Sequence, residues 1–292
     1  MVKSNGFYQT IMAQEISILR YIESKDILHS TSKKELTDIG YYRLGFYSYY
    51  FQDKINHNFT SKIHFNDIIK LYYFDFDLKM LLLRYIYRIE VHFRTQLLYY
   101  ASNHYRDNNT WYVDSKLVDS SIFKEFNTIY FNLKTKNKNL VKHHVNHPCD
   151  YAPAWKVFEF LTFGQTFKFF SNLKNEELKK QISGVYGFRD ISLLNNYFIS
   201  IINIRNICSH NGVLFDYNQP IGIKRIPNLK YRIKNGNTTN LNASIRLILF
   251  IISKVSKNRA VDLESELKSL LANASENELV KNIINSKIMF DL

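Results

Sequence analysis

Residues 66–102 read NDIIKLYYFDFDLKMLLLRYIYRIEVHFRTQLLYYAS, a run without glycine or proline. Apolar side chains recur in it at Ile69, Tyr72, Tyr73, Phe76, Met80, Leu83, Tyr87 and Val91, with Leu98 one heptad further. Steps of three and four residues are the repeat of a helix face, so this stretch predicts the longest helix of the chain. Composition outside it agrees. Nine Gly and four Pro in 292 residues are about 4–5%, against roughly 12% in average proteins. Sandwiches, collagen-like repeats and Pro/Gly-rich disorder need more turn-formers than that. A hydrophobic content of 46% excludes intrinsic disorder. The fold class expected is all-α.

Further helices follow from the same reading. Thr10–Glu23 carries Ile11, Ile18, Leu19 and Ile22 at helical spacing. Ser32 with Glu35 is a capping-box pair that opens a short helix ending near Gly40. Tyr41–Phe51 holds seven aromatics, read either as core packing or as a base-stacking platform. Phe126–Leu140 is a helix candidate, and another runs from Pro153 through Phe170. Glu176–Ser183 is short and ends at Gly184. Ile191–Ser209 is strongly apolar and stops at His210-Asn211-Gly212. Residues 217–240, with Pro220, Gly222, Pro227 and Gly236, read as a long loop, and Leu241–Ser256 and Ser265–Ser286 as closing helices. No internal repeat or linker divides the chain. One domain over residues 1–292 is expected: an N-terminal helical and aromatic segment to 60, a core over 61–216, and a basic loop with C-terminal helices over 217–292.

The charge is uneven. Thirty-nine Lys and Arg against 26 Asp and Glu leave +13, which points to an anionic partner. Residues 127–149 hold four lysines, three histidines and no acid. Residues 217–261 hold nine cations and no acid. Along the long helix, Arg84/Arg88, Arg88/His92 and Glu90/Arg94 are i,i+4 pairs, which either line a groove or pair on a surface. Cys149 and Cys208 give neither a disulfide framework nor zinc spacing, and read as a surface thiol and a buried small apolar residue. His143, His144 and His147 have spacing compatible with a metal, but no carboxylate joins them, so phosphate contact or surface exposure is preferred and no metal or other cofactor is expected. Gln14, Glu15 and Arg20 interrupt any signal-peptide core, and no apolar run is long enough to span a bilayer. A cytoplasmic protein that does not use a membrane is expected.

The residues with chemistry are Arg205-Asn206-Ile207-Cys208-Ser209-His210. On a helix, Tyr197, Ile201, Ile204 and Cys208 form the buried stripe. Asn206 and His210 are rotated about 200° from Ile204 and Cys208 and are i,i+4 neighbours, with Arg205 on the flank. RNA carries its own nucleophile, the 2′-hydroxyl. An imidazole takes or gives its proton near neutral pH. A guanidinium stabilises the five-coordinate phosphate. Asn206 orients the phosphate or the ring. Base and acid together call for two histidines, which a two-fold dimer supplies. A histidine at a helix end also serves simply to complement the helix dipole.

The chain resembles the Abi-like (abortive infection, AbiD/AbiF type) family of the HEPN superfamily. The resemblance rests on Gly40-Tyr41-Tyr42-Arg43-Leu44 with Tyr47 and Tyr50, Phe65-Asn66-Asp67-Ile68-Ile69 with Leu71-Tyr72 and Phe74-Asp75, Ile89-Glu90-Val91 with Arg94, Pro153-Ala154-Trp155 with Phe163-Gly164, and Ile204–His210. These lie in the family's order over roughly residues 8 to 218. The resemblance implies a HEPN-type helical bundle with extra N- and C-terminal helices. It implies a metal-independent RNase motif on Arg205, Asn206 and His210, completed by a second copy. It also implies a toxin–antitoxin arrangement in phage defence, restrained by a structured non-coding RNA. Arg43, Arg88, Arg94, Lys134, Lys136, Lys138, Lys142, His143, Lys224, Arg225, Lys230, Arg232 and Lys234 are the expected RNA-binding residues. Two alternatives stand beside this reading: an RNA-binding HEPN protein that does not cut, and a helical interaction protein without nuclease activity.

Overall fold

A computed structural model describes residues 30–53, 55–56, 58–59, 63–210, 212–233 and 236–288. The helix expected over Thr10–Glu23 and the cation Lys234 lie outside them. Among the described residues there are twelve α-helices and no β-sheet, only two isolated bridges. No helix among them is long and apolar enough to cross a membrane.

The first helix, α1, spans Ser30–Ile39, so it begins before Ser32, whose side chain lies outside the described residues. Gly40 breaks it in the left-handed region (φ 89°), where a side chain would be strained. α2 (Tyr41–Ser48) and a 3₁₀ turn (Tyr49–Phe51) follow. Their aromatics divide. Tyr47 and Phe51 are buried, while Tyr42, Phe46 and Tyr49 are exposed.

α3 (Phe65–His104) is the 40-residue axis of the molecule, opened by a capping box between His64 and Asp67. Its buried stripe is Ile68, Leu71, Asp75, Leu78, Leu82, Tyr85, Ile86, Ile89, Phe93 and Leu97. The face read from the sequence is mostly the wrong one: Ile69 is buried and Tyr72, Leu83 and Leu98 are half-buried. Tyr73, Phe76, Met80, Tyr87 and Val91 are exposed. The helix is apolar on several sides, so two stripes satisfy the 3.6 period and periodicity alone cannot choose between them. Packing chooses: Phe93 of the buried stripe, for example, lies against the rings of Phe163, Phe167, Phe170 and Phe198.

α4 (Phe123–Lys136) and α5 (Lys138–Asn146) replace the single helix expected over Phe126–Leu140. Asn137 makes the break, its side chain accepting from the N–H groups of Asn139 and Leu140. The helix expected from Pro153 through Phe170 is also two. α6 (Ala154–Val157) runs into a 3₁₀ turn, and α7 (Phe163–Ser171) starts afresh on a Thr162–Gln165 capping box. α8 is Glu176–Val185. Gly184 lies inside it, and the left-handed residue is Gly187 (φ 79°).

α9 (Ile191–Ser209) runs antiparallel to α3, with Phe198 packed on Phe93 at a ring-centroid distance of 4.8 Å. The expected long loop then follows α9 back, as described below. α10 (Leu241–Val255) is apolar nearly all round and buried from Leu241 to Ile252, the mark of a core helix. The final helix expected over Ser265–Ser286 is two, α11 (Lys257–Ala274) and α12 (Glu278–Ile288). Asn277 divides them, accepting from Val280 N–H while its amide donates to Asp67 at 2.6 Å.

Candidate RNase motif and its supports

The apolar period of α9 buries Tyr197, Ile201, Ile204 and Cys208 against the core. That register leaves Asn206 and His210 exposed and Arg205 half-buried. Their side chains form no hydrogen bond or ion pair with other described residues. The helix ends at Ser209. His210 is the C-cap, its N–H still bonded to the Asn206 carbonyl (3.1 Å) and its own backbone extended (φ −117°, ψ 179°). Burial beside the Asp75 carboxylate pushes the Cys208 thiol up to about 12, so Cys208 is not a nucleophile.

What holds the chain just past His210 is a buried carboxylate on α3. Asp75 Oδ1 accepts the N–H groups of Leu214 (2.9 Å) and Phe215 (2.8 Å). Its Oδ2 accepts from Tyr47 Oη (2.8 Å) and pairs with Lys79 Nζ (2.6 Å). Burial, then the Asp75 charge, pushes the Tyr47 phenol up, so it remains a donor. Tyr50 extends the support, donating to Asp216 Oδ2 (2.9 Å) and packing on Phe215 with ring centroids 4.7 Å apart. Lys287 of α12 reaches the same Asp216 oxygen at 3.0 Å. Three segments far away in sequence, the α2–3₁₀ segment, α3 and α12, thus fix the exit from the motif. None of these supporting residues was assigned a role from the sequence. The available signal was Asp75 with Lys79, an i,i+4 acid–base pair inside an apolar helix.

The expected RNA-binding residues are not one patch. Lys224 Nζ bonds Ser192 Oγ (2.9 Å), and Tyr197 Oη bonds the Arg225 carbonyl (2.7 Å), at the start of α9. His210 is at its other end, 18 residues or about 27 Å away. The loop is strapped there by Asn196, whose amide donates to the Gly222 carbonyl and whose oxygen accepts Lys224 N–H. Lys230 is paired with Glu264 (2.6 Å). Arg232 is half-buried, and Arg246, counted in the basic stretch, is inside the core.

Lys136, Lys138 and Lys142 are exposed on α4 and α5, and Lys134 is half-buried. His143 is not a surface group: it is buried, with Lys156 Nζ 3.0 Å from Nδ1. Burial first, then Lys156 and the two neighbouring histidines, hold its pKa below the ordinary value. His144 faces Tyr130 Oη at 2.8 Å. Among the described residues no group of three or more His, Cys, Asp or Glu is placed to hold a metal ion. Arg94 is also interior, bonded to Glu90 (2.8 Å) and to the Leu161 carbonyl (3.0 Å), the acceptor freed by the break before α7. Arg43 is half-buried and Arg88 is exposed.

The family model for the Abi-like protein matches residues 34–216, well over half of the chain. The chain belongs to the Abi-like protein family. The match opens in α1 and closes on Asp216, so it encloses Tyr47, Tyr50, Asp75 and the whole Arg205–His210 motif. At a coarse level this is the abortive-infection, phage-defence family. No curated protein and no solved structure matches the Abi-like chain. The helices past Asp216, including the core helix α10, lie beyond the matched residues.

Proposed function

We propose that this Abi-like chain is the toxin of a phage-defence pair, a metal-independent endoribonuclease bound and regulated by a structured non-coding RNA. The observation that carries the reading is a solvent-facing Asn206 and His210, with Arg205 beside them, on a helix end whose exit is fixed by the buried Asp75.

In the reaction, the imidazole of His210 takes the 2′-hydroxyl proton. The oxygen bonds to phosphorus, and the phosphorus–5′-oxygen bond breaks. The leaving 5′-oxygen takes a proton from the His210 of a second copy. Products are a 2′,3′-cyclic phosphate and a 5′-hydroxyl, and no redox step is involved. Arg205 offsets the charge that builds on the equatorial oxygens, and Asn206 orients. Both histidines require a two-fold dimer.

Expression of the His210→Ala chain tests this. Cellular toxicity and RNA cleavage should be abolished while RNA affinity stays within about twofold. Toxicity equal to wild type would sink the reading. RNA binding that falls in Arg205→Ala, from a wild type that does not cut, would favour the non-catalytic alternative.

A further inference from the structure

We propose that the groove between α3 and the α10–α11 junction is a nucleotide pocket, taking one phosphorylated base either free or as a unit of an RNA strand. The groove encloses about 620 Å³, the size class of small-molecule sites. Three guanidinium groups, from Arg84, Arg88 and Arg259, line it, and no carboxylate does. Arg84 and Arg259 are each steadied by one carboxylate outside the wall, Glu266 and Asp262. A guanidinium has five N–H donors, so one carboxylate leaves others available. Arg88 is exposed and makes no hydrogen bond or ion pair with the described residues. This is an anion site suited to a tetrahedral phosphate group.

The opposite chemistry sits beside it. Val91, Ile252 and Val255 make an apolar wall, and the Tyr87 ring, 63% exposed, stands at its edge. An aromatic ring presented to solvent next to arginines is the arrangement on which nucleobases stack. His92 adds an uncharged polar ring. Its Nδ1 lies 2.9 Å from the hydroxyl of the buried Tyr186, whose partner among the described residues it is. Burial lowers the His92 pKa, which keeps the ring uncharged. Phosphate recognition, a stacking ring and a polar imidazole around an apolar wall together select a nucleotide over bare phosphate or an acidic peptide. Arg88 is 13 residues along α3 from Asp75, about 20 Å, so the pocket is separate from the Arg205–His210 helix end. Its readout is binding, and it stands or falls independently of cleavage.

The test is calorimetric and fluorescence titration of the full chain and of Arg88→Glu and Tyr87→Ala, both exposed positions. The probes are adenosine monophosphate, adenosine, inorganic phosphate, an eight-nucleotide single-stranded RNA and a poly-glutamate peptide. Adenosine monophosphate should bind more tightly than adenosine or phosphate, and lose about tenfold or more in each variant. If only the RNA binds measurably and loses affinity in both variants, the pocket serves a strand, which also supports the proposal. Unchanged binding in both variants overturns it. So does a loss in Arg88→Glu alone, which marks a bare cation, or peptide binding as tight as that of the nucleotide probes.

Discussion

Asp75 accepts four donors on two oxygens with none of its surface in water, and Lys79 beside it is 5% exposed. Removing one member of such a pair leaves an uncompensated buried charge. Asp75→Asn should therefore lower unfolding stability by about 3–5 kcal/mol, read by urea denaturation. A loss below about 1 kcal/mol would contradict the buried pair. Histidines give a second test at this scale. His92, His143 and His144 all have pKa values held low, in each case by burial first. In the unfolded chain such a ring takes its proton near pH 6.5. Below that the unfolded state binds more protons than the fold, so stability falls as pH drops, while above about pH 7 both states are neutral and the contribution is flat. Urea midpoints should be lower at pH 5.5 than at pH 7.5, and His92→Gln should shrink the difference. Midpoints insensitive to both would show that the rings titrate normally.

At the scale of elements, what was legible is what depends on local chemistry. The length of α3, the end of α9 at Ser209 and the buried stripe of α9 follow from apolar spacing and from the His210-Asn211-Gly212 sequence. The breaks at Asn137, Thr162 and Asn277 were missed because each is a capping side chain inside a stretch that stays periodic across it. The buried face of α3 was illegible for another reason: Tyr73, Met80 and Tyr87 carry large apolar areas like the residues packed inside, and the placement of the other helices distinguishes them. The loop after α9 offers a test. A Cβ on Gly222 would stand 2.6 Å from Thr238 Oγ1, where the Ile223 N–H also meets the Thr238 carbonyl. Gly222→Ala should cost about 1–3 kcal/mol by overpacking, and Thr238→Ala should recover part of it. No loss in the single variant would mean that the loop is not strapped there.

For the molecule as a whole, a net charge of +13 favours an anionic partner but does not say which surface it would follow. Lys224 and Arg225 lie near the start of α9, far from His210, while Arg94, His143 and Arg246 are buried. The surface cations therefore form separated patches rather than one basic tail. If Lys224 and Arg225 touch phosphate, reversing both to Glu should weaken RNA binding and lower the slope of log affinity against log salt by about 1.4 for a single strand. An unchanged slope would remove them from the interface. The solvent exposure of Asn206 and His210, on which the proposed chemistry rests, was legible because spacing on a helix end is a local property. Asp75 and Tyr47 were not, because the turn they hold is about 140 residues away from Asp75 in sequence.

The most direct measurement is end-group analysis of RNA incubated with purified wild-type and His210→Ala chains in a metal chelator. Wild type should yield fragments ending in 2′,3′-cyclic phosphate and beginning in 5′-hydroxyl, and His210→Ala should yield none. Cleavage that stops in the chelator, or that survives in His210→Ala, would contradict a metal-independent reaction carried by the end of α9.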